Sequence, residues 1–167
     1  MPRSFDILTE SPASVEQVHA AFGREDYWRA RHAAFDATST LDTLSVEADG
    51  TVTVSATQHL GRQLLPGVVA KLIPGDLKIL HNEMWRPVGE HRVRGQVTVS
   101  VPAGLVSGRA DAWLAPAGNG SELRFAATVE AKIPLAGARI EKTIGSELAD
   151  NIAAIQRFTT AWIAEHA

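Results

Sequence analysis

Between residues 140 and 162 the side chains Ile140, Ile144, Leu148, Ile152, Ile155, Phe158 and Trp162 recur at steps of three or four. That spacing is the stripe of an amphipathic helix, and it constrains the fold more than any other stretch of the chain. Glu141, Lys142, Glu147, Asp150, Gln156, Arg157 and Glu165 fall largely on the other faces. A helix from Ala138 to Ala164, at about 1.5 Å per residue, is ~40 Å long and crosses a whole small sheet. It is preceded by the hinge Lys132-Ile133-Pro134-Leu135-Ala136-Gly137. Pro134 has no N–H for a strand ladder and Gly137 is a weak N-cap, so the stripe supplies most of the helix's stability.

The preceding chain reads as the surface on which this helix lies. Arg3 to Thr9 is a first strand, with Phe5 and Ile7 on one face. Ser14 and Gln17 form a capping box ahead of Val15, Val18, Ala21 and Phe22 at helical spacing, and Gly23 is expected to end that helix in a left-handed conformation. A second helix covers Glu25 to Phe35, with Trp28, Arg31 and Phe35 near one face. From Thr40 the period becomes two: Leu44, Val46 and Ala48, then Asp49-Gly50 as a turn, then Val52, Val54 and Ala56, which is a hairpin signal. After an apolar insert from Leu64 to Gly75, strands are predicted at Leu77 to Arg86, Glu90 to Val101, Leu105 to Ala115 and Ser121 to Ile133. Their short Pro- and Gly-rich connections imply antiparallel neighbours, since parallel ones need crossovers.

Composition narrows the function classes. The 167 residues are 45% hydrophobic and 21% charged, with a formal net charge of -3, which gives no footprint for nucleic acid. No cysteine is present, so disulfides, thiol nucleophiles and cysteine metal sites are excluded. The start lacks an apolar leader and no apolar run approaches membrane-spanning length. A soluble, cytoplasmic protein of one domain over residues 1–167 is the expectation. The histidines 19, 32, 59, 81, 91 and 166 lack metal-ligand spacing, and no phosphate loop, dinucleotide fingerprint or nucleophile elbow occurs, so neither metal nor cofactor is predicted.

Two segments carry a resemblance. Ala13-Ser14-Val15-Glu16-Gln17-Val18-His19-Ala20-Ala21-Phe22 after the first strand, and Ile133-Pro134-Leu135-Ala136-Gly137-Ala138-Arg139-Ile140-Glu141 before the last helix, resemble the START/Bet v 1-like (SRPBCC, helix-grip) superfamily. Within it, Glu25-Asp26-Tyr27-Trp28 and the Pro134 to Glu141 hinge resemble an actinobacterial family of uncharacterised function. The resemblance covers essentially the whole chain, and its motifs are structural, without a catalytic signature. It implies an α+β helix-grip fold of order β-α-α-β-β-β-β-β-β-α. A curved antiparallel sheet of about seven strands wraps the C-terminal helix, over a cavity that in relatives holds lipids, sterols or polyketides.

Residue size gives a separate argument for a cavity. The strand faces predicted to meet the helix carry many small side chains, Gly95, Gly108, Ala110, Ala112 and Ala127 among them. Cores pack to crystal-like density, so such a face is underfilled unless the helix sits closer, with Gly145 and Ala149 toward the sheet. The candidate ligand-binding set is Val54, Ala56, Ile79, His81, Glu83, Val97, Val99, Ala110, Ala112, Phe125, Ala127, Ile144, Leu148 and Ile152. His81 and Glu83 are also the weak catalytic candidates, with Tyr27 a distant third. They matter only if their strand turns them inward; the opposite phase or a β-bulge sends them to water. Tyr27 and Trp28 line a cavity mouth or belong to the core. Arg109 and Asp111 share a solvent face.

Three functions follow from this reading. The leading one is binding or carriage of a small hydrophobic or lipid-like ligand between sheet and helix. The second is a cyclase, aromatase or dehydratase acting on an apolar substrate in the same cavity. The third is a non-catalytic interaction domain, with the Val68–Ile73 part of the insert as a transient membrane contact, or else an ordinary short helix or a lid. Ligand identity and oligomeric state stay open at this stage.

Overall fold

The computed structural model describes residues 2–60, 77–101 and 104–167. The elements run β1 (Arg3–Ser11), α1 (Val15–Phe22), α2 (Glu25–Phe35), β2 (Ser39–Val46), β3 (Val52–Leu60), β4 (Leu77–Pro87), β5 (Val93–Ser100), β6 (Val106–Ala117), β7 (Gly120–Ala131) and α3 (Gly137–Glu165). This is the predicted order. The strands form one antiparallel seven-stranded sheet, β1-β7-β6-β5-β4-β3-β2. β1 and β2 therefore lie on opposite edges, and α1 with α2 carries the chain from one edge to the other. The Leu64 to Gly75 insert, including Val68–Ile73, lies outside the described residues.

Local chemistry sets most element ends. Ser14 Oγ accepts from the Gln17 backbone N–H at 3.1 Å, and Gln17 Oε1 accepts from the Ser14 N–H at 2.9 Å, completing the predicted capping box. Gly23 closes α1 with φ of -83°, a right-handed conformation rather than the left-handed one expected, its N–H donating to the Ala20 carbonyl while the Arg24 N–H donates to that of Ala21. α3 starts one position earlier than predicted. Ala136 is its cap residue, its carbonyl accepting from the Ile140 N–H at 3.0 Å, with no side-chain cap. On β2, a register shift between Leu41 and Thr43 lets Leu41 and Leu44, three apart, both pack on the core.

One end of the sandwich is filled by rings. Phe22 lies 4.8 Å from Trp85 and 5.7 Å from Tyr27, and Tyr27 lies 5.3 Å from both Trp28 and Trp162. Trp28 donates to the Phe22 carbonyl at 2.7 Å, and Tyr27 shares a 2.6 Å hydrogen bond with Thr159. Thr159 donates its own proton to the Ile155 carbonyl, so the Tyr27 hydroxyl is the donor to Thr159. Both Tyr27 and Trp28 are buried, which places them in the core rather than at a cavity mouth. Gly95 belongs to this filled end as well. A Cβ there would lie 2.5 Å from the Trp85 ring, so its smallness makes room for a neighbour and leaves no void.

The long helix is seated off-centre. Its strand neighbours are β1 and β7. A Cβ on Gly145 would fall 1.9 Å from the Phe5 ring, so only glycine allows that approach, whereas Ala149 is exposed. The Ser11 hydroxyl meets Thr160 at 2.6 Å, tying β1 to the last turns of α3. Glu141 and Gln156, assigned by periodicity to the outer faces, are buried. Glu141 accepts the Ala131 N–H at 2.9 Å beyond the end of the β1 ladder and lies 4.0 Å from Arg3, which pins the first turn to β7.

Candidate functional site

Because α3 sits on the β1–β7 side, the inner face of the central strands changes character along its length. On β4, Trp85 and Glu83 are buried while His81 and Ile79 are half-buried; on β5, Val93, Gly95 and Val97 are buried while Val99 is half-buried. On β6, Leu114, Ala112 and Ala110 give way to half-buried Gly108 and Val106. The pairings His81↔Val99 and Val99↔Gly108 make the open positions one contiguous patch. Along α3 the predicted stripe behaves in the same way: Ile140, Ile144, Leu148, Ile152 and Ile155 are all half-buried, although they form its most apolar face.

The predicted ligand-binding residues therefore divide. Val54, Ala56, Glu83, Val97, Ala110, Ala112, Phe125 and Ala127 are closed over, Ala112 completely. Ile79, His81, Val99, Ile144, Leu148 and Ile152 keep accessible surface. Arg109 is exposed and Asp111 half-buried on the other face of β6. A surface groove follows the hinge, lined by Ala131, Ile133, Pro134, Leu135, Gly137 and Ala138 together with Lys132. It borders the start of β6, where Ala131 pairs with Val106, and offers one exposed cation beside backbone, too little to orient a reaction.

At the border between the filled and open ends stands a polar group. β4 adopts the phase that turns His81 and Glu83 inward. Glu83 Oε2 accepts from His81 Nε2 at 2.7 Å and faces Arg31 Nη2 at 3.4 Å, and Oε1 accepts from Trp85 Nε1 at 3.1 Å. Arg31 reaches it from α2, where its place three residues after Trp28 puts the guanidinium over the Trp28 ring at 4.7 Å. Burial pushes the Glu83 carboxyl upward, but Arg31, the His81 hydrogen bond and charge, and Trp85 together hold it at about 2. It is a carboxylate at any working pH. Burial also raises the Tyr27 phenol, against the opposing pull of Arg31, and it stays protonated. His32 is pushed down by burial and by Arg31.

This arrangement gives an apolar patch with one histidine at its edge, backed by a neutralised ion pair. Arg31 and Trp85 were not singled out in sequence. Trp85 follows Glu83 on the same face of its strand at period two, whereas Arg31 shows only its i, i+3 spacing from Trp28 and nothing local links it to Glu83, 52 residues away. Among the described residues no group of His, Cys, Asp or Glu is placed to hold a metal ion, and no helix is long and apolar enough to cross a membrane.

Comparison places this geometry among known proteins. Over 99% of both chains, the fold superposes on a crystal structure of Ara h 8.0201 with a TM-score of 0.58 at 13% identity. It superposes on norcoclaurine synthase from Thalictrum flavum with a TM-score of 0.53 at 14% identity, covering 99% of this chain and 88% of the other. At these identities the likeness concerns the fold, which is Bet v 1-like. In sequence, the chain is 36% identical over 174 residues to an uncharacterised protein of Mycobacterium tuberculosis, covering 98% of each, and equally so to one of Mycobacterium bovis. With residues 6–163 matched as well by the family described as "Protein of unknown function (DUF2505)", the chain belongs to that family, as a helix-grip protein of Bet v 1-like fold.

Proposed function

We propose that the protein binds a small apolar ligand in a cavity between the inner sheet face and α3, with residues 1–167 acting as one domain. One observation carries this reading. The apolar stripe of α3 and the stretch Ile79, His81, Val99, Val106 and Gly108 on β4, β5 and β6 are half-buried together, while the same strands are sealed by aromatic rings at their other ends. Apolar surface left uncovered on two facing elements is stabilised by an apolar guest, at about 25 cal/mol for each Å² removed from water. The off-centre seat of the helix supports the reading, because it moves the helix away from the central strands without loosening the aromatic end. Bet v 1-like folds are associated with ligand binding, which agrees with this use of the space.

Native mass spectrometry of the purified protein, with organic extraction of whatever it carries, tests the proposal directly. Displacement of a fluorescent apolar probe supplies an equilibrium measurement. A protein that carries nothing and never raises the probe's fluorescence would be a folded domain with no such cavity.

The contact between His81 and Glu83 favours catalysis as a second reading. A histidine held by a carboxylate is the arrangement of a general base, and one Bet v 1-like neighbour, norcoclaurine synthase, is an enzyme. Recovery of a bound compound unchanged after incubation supports carriage. Recovery of a converted compound, lost in His81→Phe, supports catalysis.

A further inference from the structure

The hydrogen bonding of His81 carries information about the polar end of the ligand. Glu83 is ionised and holds no proton, so in the 2.7 Å contact His81 Nε2 must be the donor. In the neutral ring, Nδ1 is then left as an acceptor. Among the described residues His81 makes no hydrogen bond through Nδ1, and its side chain keeps 34% of its surface accessible on the open patch. The cation behind it is already committed. Arg31 pairs with Glu83 and lies against the Trp28 ring, so when the imidazole is neutral the pole has no net charge to attract an anion.

We propose that His81 Nδ1 accepts a hydrogen bond from a neutral hydroxyl on the ligand, which makes the guest an apolar alcohol or phenol and not a fatty-acid carboxylate. The inference rests on the cavity-binding reading above and deepens it. A carboxylate arriving at this point would meet a lone pair on Nδ1 and the nearby Glu83 charge. A hydroxyl would meet an acceptor whose partner proton is fixed on the far side of the ring. The Glu83 contact thus acts through the ring: by holding the proton on Nε2, a carboxylate that never touches the ligand sets which group the ligand must present.

The test compares 1-dodecanol with dodecanoate as competitors of a fluorescent apolar probe, in slightly alkaline buffer. The alcohol is expected to compete about fivefold better than the acid, the size of one net hydrogen bond. In His81→Phe, which keeps a ring and removes the acceptor, the ratio of the two competitors is expected to fall to one, the alcohol losing its advantage over the acid. Long-range proton–nitrogen NMR of the wild-type protein provides a check independent of any variant, and the Nε2–H tautomer is expected. Equal competition, preference for the acid or an Nδ1–H tautomer overturns this proposal and leaves cavity binding intact. A wild-type protein that does not bind the probe overturns the cavity reading and this proposal with it.

Discussion

Glu83 occupies a position where a carboxyl group would ordinarily take up a proton. It is 3% exposed, between Val54 and Val97 on the neighbouring strands, and burial alone raises a carboxyl pKa. Arg31, His81 and Trp85 reverse that tendency and bring it from 4.5 to about 2. A folded-state pKa below the unfolded one stabilises the fold above the unfolded value, and that contribution disappears as pH falls through the folded value. The window is therefore about pH 4.5 to 2, and the linked stabilisation is about 3 kcal/mol. Glu83→Gln leaves Arg31 buried without its counter-charge and should lower stability near neutrality by roughly 3 to 5 kcal/mol. Urea unfolding of both proteins across that window measures the difference. The wild type should lose stability steeply on acidification and the variant much less; parallel curves would show that acid acts elsewhere.

The seat of α3 is decided by elements that are distant in sequence. Gly145 lies against the Phe5 ring, so Gly145→Ala sets two effects in opposition. Helix propensity favours alanine by about 1 kcal/mol, and overpacking costs about 1 to 3 kcal/mol. The clash should win, giving a net loss that Phe5→Leu in the same chain partly restores, a coupling readable from a double-mutant cycle of chemical denaturation. A simple gain in stability would mean that the ring moves aside freely. This contact also marks the limit of what sequence conveys. The stripe from Ile140 to Trp162, the Ser14–Gln17 capping box and the antiparallel meander were legible because each is local or periodic. The rotation of α3 about its axis was not, since it is set by Phe5, Ser11 and Arg3 on β1, and so Glu141 and Gln156 appeared as solvent positions. Gly95 looked like missing volume because the Trp85 ring that fills it comes from the neighbouring strand. The polar pole was half legible: period two showed that His81 and Glu83 share a face, but the phase was fixed by Arg31 and Trp85 supplying donors to Glu83.

At the scale of the molecule, the Bet v 1-like scaffold divides into an end filled by aromatic rings and one whose apolar surface is half-buried. The aromatic group from α1, α2, β4 and α3 supplies much of the core, so surface near Ile144 and Leu148 can stay half-buried without loss of the fold. Leu148→Trp follows from that division. Its added volume should occupy the proposed cavity and abolish probe displacement while the Tm by calorimetry changes little; severe destabilisation would indicate a solid core at that point instead. The same division makes overall stability depend on occupancy. A ligand that binds only the folded state adds RT ln(1 + [L]/Kd), about 2.7 kcal/mol at a hundredfold excess over Kd, which for a chain of this length is a rise in Tm of roughly 5–10 °C. Protein stripped by organic extraction should therefore melt lower than protein as purified, and 1-dodecanol should restore the difference in wild type but not in Leu148→Trp. The contrast between those two proteins separates occupancy of the cavity from general effects of the additive on unfolding, because both expose nearly the same surface when they unfold. Equal shifts in both would place the added alcohol outside the space beneath α3.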